Sequence, residues 1–209
     1  MPHTWDPDAP SPAEGLRRLA EGNRRFLEGA ASARAFRPDL VGKPQRPFAI
    51  VLGCSDSRTP VEILFDVDFG DLFVVRLAGH AVAPSVVGSV EFAASQFGTR
   101  LVVVLGHTGC GAIAATVETI RSGNGHHSCN IRAITDRIQP HLENYVRMAG
   151  GDDAEVLREA MRINVRSAVH HLRHGSRLLE ELVLAGRVAV VGAEYQLETG
   201  RVSFLEAPR

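Results

Sequence analysis

The sequence predicts an α/β fold, a mostly parallel central sheet flanked by helices with an N-terminal helical arm. Two observations carry the prediction. Short apolar runs bounded by glycine alternate with stretches of helical periodicity. The first four runs, 48–52, 72–77, 101–105 and 188–191, are almost continuously apolar rather than alternating, as in strands covered on both faces of a parallel sheet. A fifth run, 202–205, reads as an edge strand.

The elements follow in order. Ser11, Pro12 and Glu14 have the form of a helix start, with Ser11 as N-cap, Pro12 at the first helical position and Glu14 placed to bond back. Leu16, Leu19, Asn23, Phe26 and Leu27 then lie near one face, so this helix packs either on its own chain or on a partner subunit. Residues 31–47 are small, basic and proline-containing, an extended connector. Residues 1–47 thus read as arm and connector and 48–209 as the α/β catalytic part of one domain. A helix is expected over 85–97, with Val86, Val90, Ala93 and Phe97 in a stripe and Gly98 as its stop. Others follow Gly111 and begin near Ile131, separated by a polar surface loop at 123–130. One more covers 155–172 through Met161, Val165, Ala168 and Leu172.

A chain of 209 residues suffices for one sizeable core, and 44% hydrophobic with 22% charged residues is an ordinary globular mix. A formal net charge of -1 gives no electrostatic argument for nucleic acid or anionic lipid, which points to a small partner. No apolar run approaches the roughly 20 residues that span a bilayer, and the N-terminus lacks the basic-then-apolar order of a secretory signal, so the expectation is a cytoplasmic protein. In that compartment three cysteines serve metal binding, catalysis or packing rather than a disulfide framework.

Cys54 follows the first strand and Gly53, and His107 and Cys110 follow the third strand and Gly106. The carboxyl ends of neighbouring parallel strands form a crevice where residues distant in sequence meet. Two thiolates and an imidazole suit Zn2+ and leave a fourth position for water, the pattern of a catalytic rather than a structural site. From spacing alone, buried thiols and a packed imidazole explain the pattern equally well. Asp56 and Arg58 are a loop salt bridge in one reading. In the other, Asp56 orients a metal-activated water and Arg58 keeps Asp56 ionised. Two thiolates should acidify that water less than three neutral histidines, which bring it to about pKa 7, so activity should rise toward alkaline pH. Asp56 is itself able to ligate zinc in a closed state.

The segments Cys54-Ser-Asp-Ser-Arg58 and Gly106-His-Thr-Gly-Cys110-Gly111 resemble the paired signature of beta-class carbonic anhydrases of bacterial type. The resemblance extends through Glu21-Gly-Asn-Arg-Arg-Phe26, Gly70-Asp-Leu-Phe-Val-Val-Arg76 and Gly192-Ala-Glu-Tyr-Gln-Leu-Glu-Thr-Gly200. It implies one zinc per subunit on Cys54, His107 and Cys110, an orienting dyad of Asp56 and Arg58, and closure of Asp56 onto the metal at lower pH in some members. The implied reaction is reversible hydration of carbon dioxide to bicarbonate, without an organic cofactor. The implied assembly is a homodimer or homotetramer with exchanged helical arms and an active-site cleft at the subunit interface.

Four positions depart from that pattern, the first being Leu77, where many members have asparagine. His80 stands where many members have asparagine, and is either a proton shuttle or a hydrogen-bonded structural histidine. Asp68 stands where plant-like members have a substrate-side glutamine. Val51 replaces the tryptophan of members with a regulatory bicarbonate pocket, which implies that this pocket is missing. Cys129 with His126 and His127 reads as a flexible surface cluster, and His170, His171 and His174 as solvent-facing or carbonyl-bound groups near a helix end. Gly109 and Gly111 serve turn geometry or close packing around the ligand loop. Two other functions fit the same ligand set: hydrolysis of carbon disulfide or carbonyl sulfide, and a non-catalytic zinc-bound regulatory or redox-sensing role.

Overall fold

The computed structural model describes residues 9–34, 37–123 and 128–205. Five strands form one sheet in the order β2-β1-β3-β4-β5: β1 Ala49–Gly53, β2 Leu72–Arg76, β3 Leu101–His107, β4 Ala189–Tyr195 and β5 Val202–Phe204. The first four pair in parallel and β5 runs antiparallel to β4. Every residue of β1, β3 and β4 is buried, as their continuous apolar runs require. β2 is only half-buried despite an equally apolar run, because it lies at the sheet edge and pairs on one side alone.

Side chains alternate between two cores. Ile50, Leu52, Val102, Val104 and Val190 face α3 (Pro84–Gln96), α4 (Gly111–Ser122), α5 (Cys129–Met148), α6 (Asp153–His174) and α7 (Arg177–Leu184). Ala49, Val51, Leu101, Val103 and Val191 face α1 (Pro12–Leu27) and the short α2 (Val61–Leu64). Val51 is thus fully buried against α1 and α2.

Ser11 caps α1 by accepting from the Glu14 amide, with Pro12 in the first turn as expected. Glu14 does not bond back; its carboxylate pairs with Arg17 and Arg18. Within the chain, α1 packs on its own sheet. Leu19 is buried in the core, and Asn23 donates to the carbonyls of Leu64 and Gly200 and accepts from the Val202 amide. Gly22 permits the approach: a Cβ there would lie 1.7 Å from the Phe65 carbonyl oxygen. The connector is also tied down. The buried Asp66 carboxylate accepts from Arg25 at 2.5 Å and from the Ser32 amide at 2.7 Å, and residues 38–40 form one 3-10 turn.

Several boundaries differ from the sequence reading. β4 continues to Tyr195 because Glu194, which interrupts the apolar run, is buried between Arg158 and Arg162 at 2.7 Å each. β3 includes His107 as its last residue rather than releasing it to the loop. α2 and α7 were not anticipated; both are short, four and eight residues. Gly123 ends α4 in a left-handed cap and α5 opens at Cys129 behind the Ser128 cap, so Cys129 and Asn130, expected in the loop, are helical. His126 and His127 lie outside the described residues.

Candidate metal centre

β1 and β3 are adjacent and parallel, so both lead their chains out at the same sheet edge. Cys54 leaves β1, His107 ends β3, and Cys110 caps the start of α4. Their ligand atoms all lie within 4.8 Å of one another, and no other group of three or more such residues among those described does so. All three are buried, at 6%, 1% and 4% exposure, so none is simply a surface polar group.

The sulfurs of Cys54 and Cys110 are 3.9 Å apart. That separation is far from the ~2.05 Å of a disulfide. It is close to the roughly 3.8 Å expected when two bonds of about 2.3 Å meet at a tetrahedral zinc. His107 supplies the third point. Its Nδ1 lies 2.8 Å from the Thr108 carbonyl, which can only accept, so Nδ1 carries the proton and Nε2 the lone pair. Nε2 is buried without a hydrogen-bond partner. An acceptor left bare in the core is costly, and a cation held with the two sulfurs would satisfy it. The donor set therefore fits zinc.

The three groups are strongly coupled. The two thiols share a proton: Cys110 pulls Cys54 well below an ordinary thiol, helped by His107 and by the amides of Gly79 and Asp56. The same contact, with burial, pushes Cys110 up. Burial opposes charge on His107, but Cys54 and the Thr108 carbonyl outweigh it and leave the imidazole raised.

Asp56 is not drawn in with the three. Its Oδ1 accepts from the Arg58 amide and Nε, both at 2.9 Å, and its Oδ2 from the other end of the guanidinium at 2.8 Å. Arg58 thereby holds the Asp56 carboxyl far below the usual carboxylate range. The backbone beneath is fixed by Arg76, which donates to the carbonyls of Cys54 at 2.9 Å and Asp56 at 2.6 Å, and by buried Thr59, which bonds the same two carbonyls. On the His107 side, Thr108 accepts from the Leu197 amide and donates to Glu198.

The remaining sites separate. His80 is fully buried and burial pushes its pKa down to about 4; its Nε2 lies 2.9 Å from the Asn164 amide nitrogen. The geometry is that of a structural histidine bonded at one ring nitrogen, with Nδ1 buried and unpartnered. Asp68 precedes β2, at the sheet edge opposite Cys54, and pairs with Arg37 at 2.6 Å, so within one chain it does not reach the metal-binding group. Cys129 is exposed at the start of α5. His170 and His174 are ring neighbours at 4.7 Å, His174 meets Glu180 at 3.2 Å, and the His171 carbonyl accepts from Gly175. Gly109 adopts the left-handed conformation in the ligand loop.

The carbonic anhydrase family profile matches residues 49–202. Carbonic anhydrase 2 of Mycobacterium tuberculosis is 34% identical over 206 residues, covering 96% of this chain and 93% of its own. The chain belongs to the beta-class carbonic anhydrase family. Two further relatives of this carbonic anhydrase are carbonic anhydrases of Mycolicibacterium smegmatis, 38% identical with 92% of each chain covered, and Pseudomonas aeruginosa, 31% identical with 91% and 88% covered. A tetrameric beta-carbonic anhydrase of Sordaria macrospora shares the fold, with a TM-score of 0.74 at 21% identity over 93% of this chain and 95% of that one.

Sequence reasoning did not single out Arg76, Thr59, Thr108 or Asn164. For Arg76 a signal existed: it is the one charged residue in the apolar run 72–77; the structure puts it in register with Gly53, one residue before Cys54. Asn164 carried none, since an asparagine within a helical stripe does not reveal which turn it meets.

Proposed function

We propose that this carbonic anhydrase carries out zinc-dependent reversible hydration of carbon dioxide to bicarbonate and a proton, with zinc held by Cys54, His107 and Cys110. The observation that carries the ligand assignment is the buried, unpartnered Nε2 of His107 beside two sulfurs 3.9 Å apart. Bound there, zinc supplies Lewis acidity that makes water nucleophilic near neutral pH. The chain's own residues do the rest. Thr108 fixes the His107 tautomer. Asp56, kept ionised by Arg58, accepts the hydrogen of the attacking water and aims its lone pair at the carbon. Arg76 and Thr59 hold the loop that carries both Cys54 and Asp56. With the Asp56 carboxylate clamped by Arg58, the arrangement supports the open form over a closed regulatory one.

The half-buried apolar edge strand β2 and the exposed Phe69 that precedes it support a homodimer or homotetramer in which this edge is covered. Among the described residues no helix is long and apolar enough to cross a membrane, and the proposed location is the cytoplasm.

The test is stopped-flow carbon dioxide hydration across about pH 6.5 to 9 on protein of measured zinc content. Activity rising with pH at one zinc per chain is expected. Inactivity at full zinc loading overturns the assignment and directs assays to carbon disulfide and carbonyl sulfide.

A further inference from the structure

The sulfur of Cys54 has a neighbour besides Cys110. The Gly79 amide donates to it at 3.3 Å from within the 3-10 turn Ala78–His80. That turn is unusual in backbone: Gly79 has φ 63° and His80, a residue with a side chain, φ 43°. A Cβ on Gly79 would lie 2.9 Å from both Ala112 and Ile138, so α4 and α5 press on the turn from outside. Its inner side is held by one side chain of α6. Asn164, 3% exposed, donates to the Gly79 carbonyl at 3.0 Å and lies 2.9 Å from His80 Nε2. A carbonyl can only accept, so the nitrogen of the Asn164 amide must face it. Its second hydrogen then meets His80 Nε2, which must be the unprotonated ring nitrogen.

We infer that Asn164 is a positioning residue for the metal centre, acting through the Gly79–His80 turn to aim the Gly79 N–H at the Cys54 sulfur. The inference rests on Cys54 being a metal ligand, as proposed above. Both hydrogens of one amide are used on the turn: one fixes the carbonyl of Gly79, the other fixes the neutral tautomer of His80. With both ends held, the left-handed Gly79 presents its amide to the sulfur. An N–H donated to a thiolate withdraws electron density from it. That stabilises the thiolate against protonation and leaves the metal it binds a stronger Lewis acid. Outer-shell partners of this kind typically change metal affinity or activity about ten- to hundredfold when removed. His80 therefore acts as a strut in the turn, paired with an asparagine on α6 that matches it.

The near-isosteric Asn164→Leu removes both donors while keeping the volume. Two readouts separate positioning from general damage: the rate at which zinc is lost to a chelator, and the pH midpoint of hydration. Zinc loss about ten- to hundredfold faster is expected because the sulfur is protonated more readily, and the activity midpoint moves to higher pH because, while bound, the thiolate donates more charge to the metal. A folded variant with zinc release and pH midpoint both unchanged overturns the inference. If the variant does not fold, the wild-type protein loaded with spin-active cadmium decides it by nuclear magnetic resonance. A through-sulfur coupling between the metal and the Gly79 amide proton, with His80 in the Nδ1-protonated tautomer and coupled to the Asn164 amide, is expected, and absence of these couplings overturns it. Metal content of the wild type keeps the two readings apart. A wild type that binds no metal refutes the ligand assignment, whereas one that binds zinc normally beside an unaltered variant refutes the relay alone.

Discussion

Replacing Asp56 by asparagine keeps the side chain's shape and asks one oxygen to do two jobs. In the native pair, Oδ1 takes two N–H groups of Arg58 and Oδ2 takes a third. An amide placed to keep both bonds at Oδ1 points its NH2 at the Arg58 nitrogen 2.8 Å from the present Oδ2, donor against donor. The amide oxygen is then committed to Arg58, and nothing remains to accept the hydrogen of the attacking water. Turned the other way, the oxygen keeps the Arg58 contact at the Oδ2 position, but the NH2 faces both the Arg58 amide and Nε, donor against donor, and the pair is driven apart. Either way one positioned acceptor at the reacting group is lost, which typically costs about a hundredfold or more in rate. The metal-binding group contains no Asp56 atom, so zinc content should be unchanged. The expected result is turnover down about a hundredfold at one zinc per chain, by stopped-flow hydration with metal analysis of the same sample. The acid limb of the wild-type pH profile should not follow Asp56 itself. Its carboxyl is depressed by Arg58, so it stays ionised throughout the neutral range and protonates only in strong acid. Full activity in Asp56→Asn refutes the orienting role.

Cys54→Ser, His107→Ala and Cys110→Ser should each purify with little zinc, whereas Arg58→Ala should keep zinc and lose turnover; elemental analysis beside the rate assay separates the two groups. Gly22→Ala places a methyl 1.7 Å from the Phe65 carbonyl oxygen and must push α1 off the sheet, an overpacking loss of about 1–3 kcal/mol or more, read from denaturant unfolding. Asp66→Ala strips the buried partner from the Ser32 amide and from Arg25, which is exposed enough to regain water, and should cost about 1–3 kcal/mol in the same assay. Burial opposes the charge on Asp66, but Arg25, the Ser32 amide and Arg34 outweigh it and depress its pKa. That contribution is therefore complete above the ordinary carboxylate range and disappears as pH falls through the depressed value, so the gap between wild type and Asp66→Ala should close in acid.

The sequence announces what depends on continuous local pattern. Three central strands are covered on both faces and read as unbroken apolar runs, and the Ser11–Pro12 start of α1 is visible in the residues themselves. The candidate ligand trio was equally accessible, because Cys54 and His107 sit at strand ends next to a glycine and Cys110 lies between Gly109 and Gly111 in the loop that follows. Features set by tertiary partners stayed hidden. β4 extends through Glu194 only because Arg158 and Arg162 reach it from α6. β2 reads as a central strand, since apolarity does not encode which strand stands at the edge. The packing of α1 on its own chain depends on Asn23 meeting Gly200 and Val202, partners about 180 residues away in sequence. Asn164 is the same case within the metal centre.

The clamp around Asp56 also constrains how this centre could close. For the Asp56 carboxylate to reach the metal-binding group it must give up the guanidinium bonds at both oxygens. The backbone cannot follow it cheaply, because Arg76 and Thr59 grip the carbonyls on either side of Ser55, those of Cys54 and Asp56. Closure is then a side-chain rotation over a fixed loop. It requires a competitor for Arg58 rather than a change of charge on Asp56, which stays ionised in either position at neutral pH. Glu198 is suited to compete: it lies in the electrostatic field of Arg58, it is depressed by its local amide and by Thr108, and it stands on the loop that joins β4 to β5. Glu198 is ionised throughout the neutral range, so Glu198→Gln should strengthen the Arg58 hold on Asp56 at every neutral pH, measurable as a hydration profile of raised height and unchanged midpoint. An unchanged profile in that variant would show that Glu198 does not compete for Arg58.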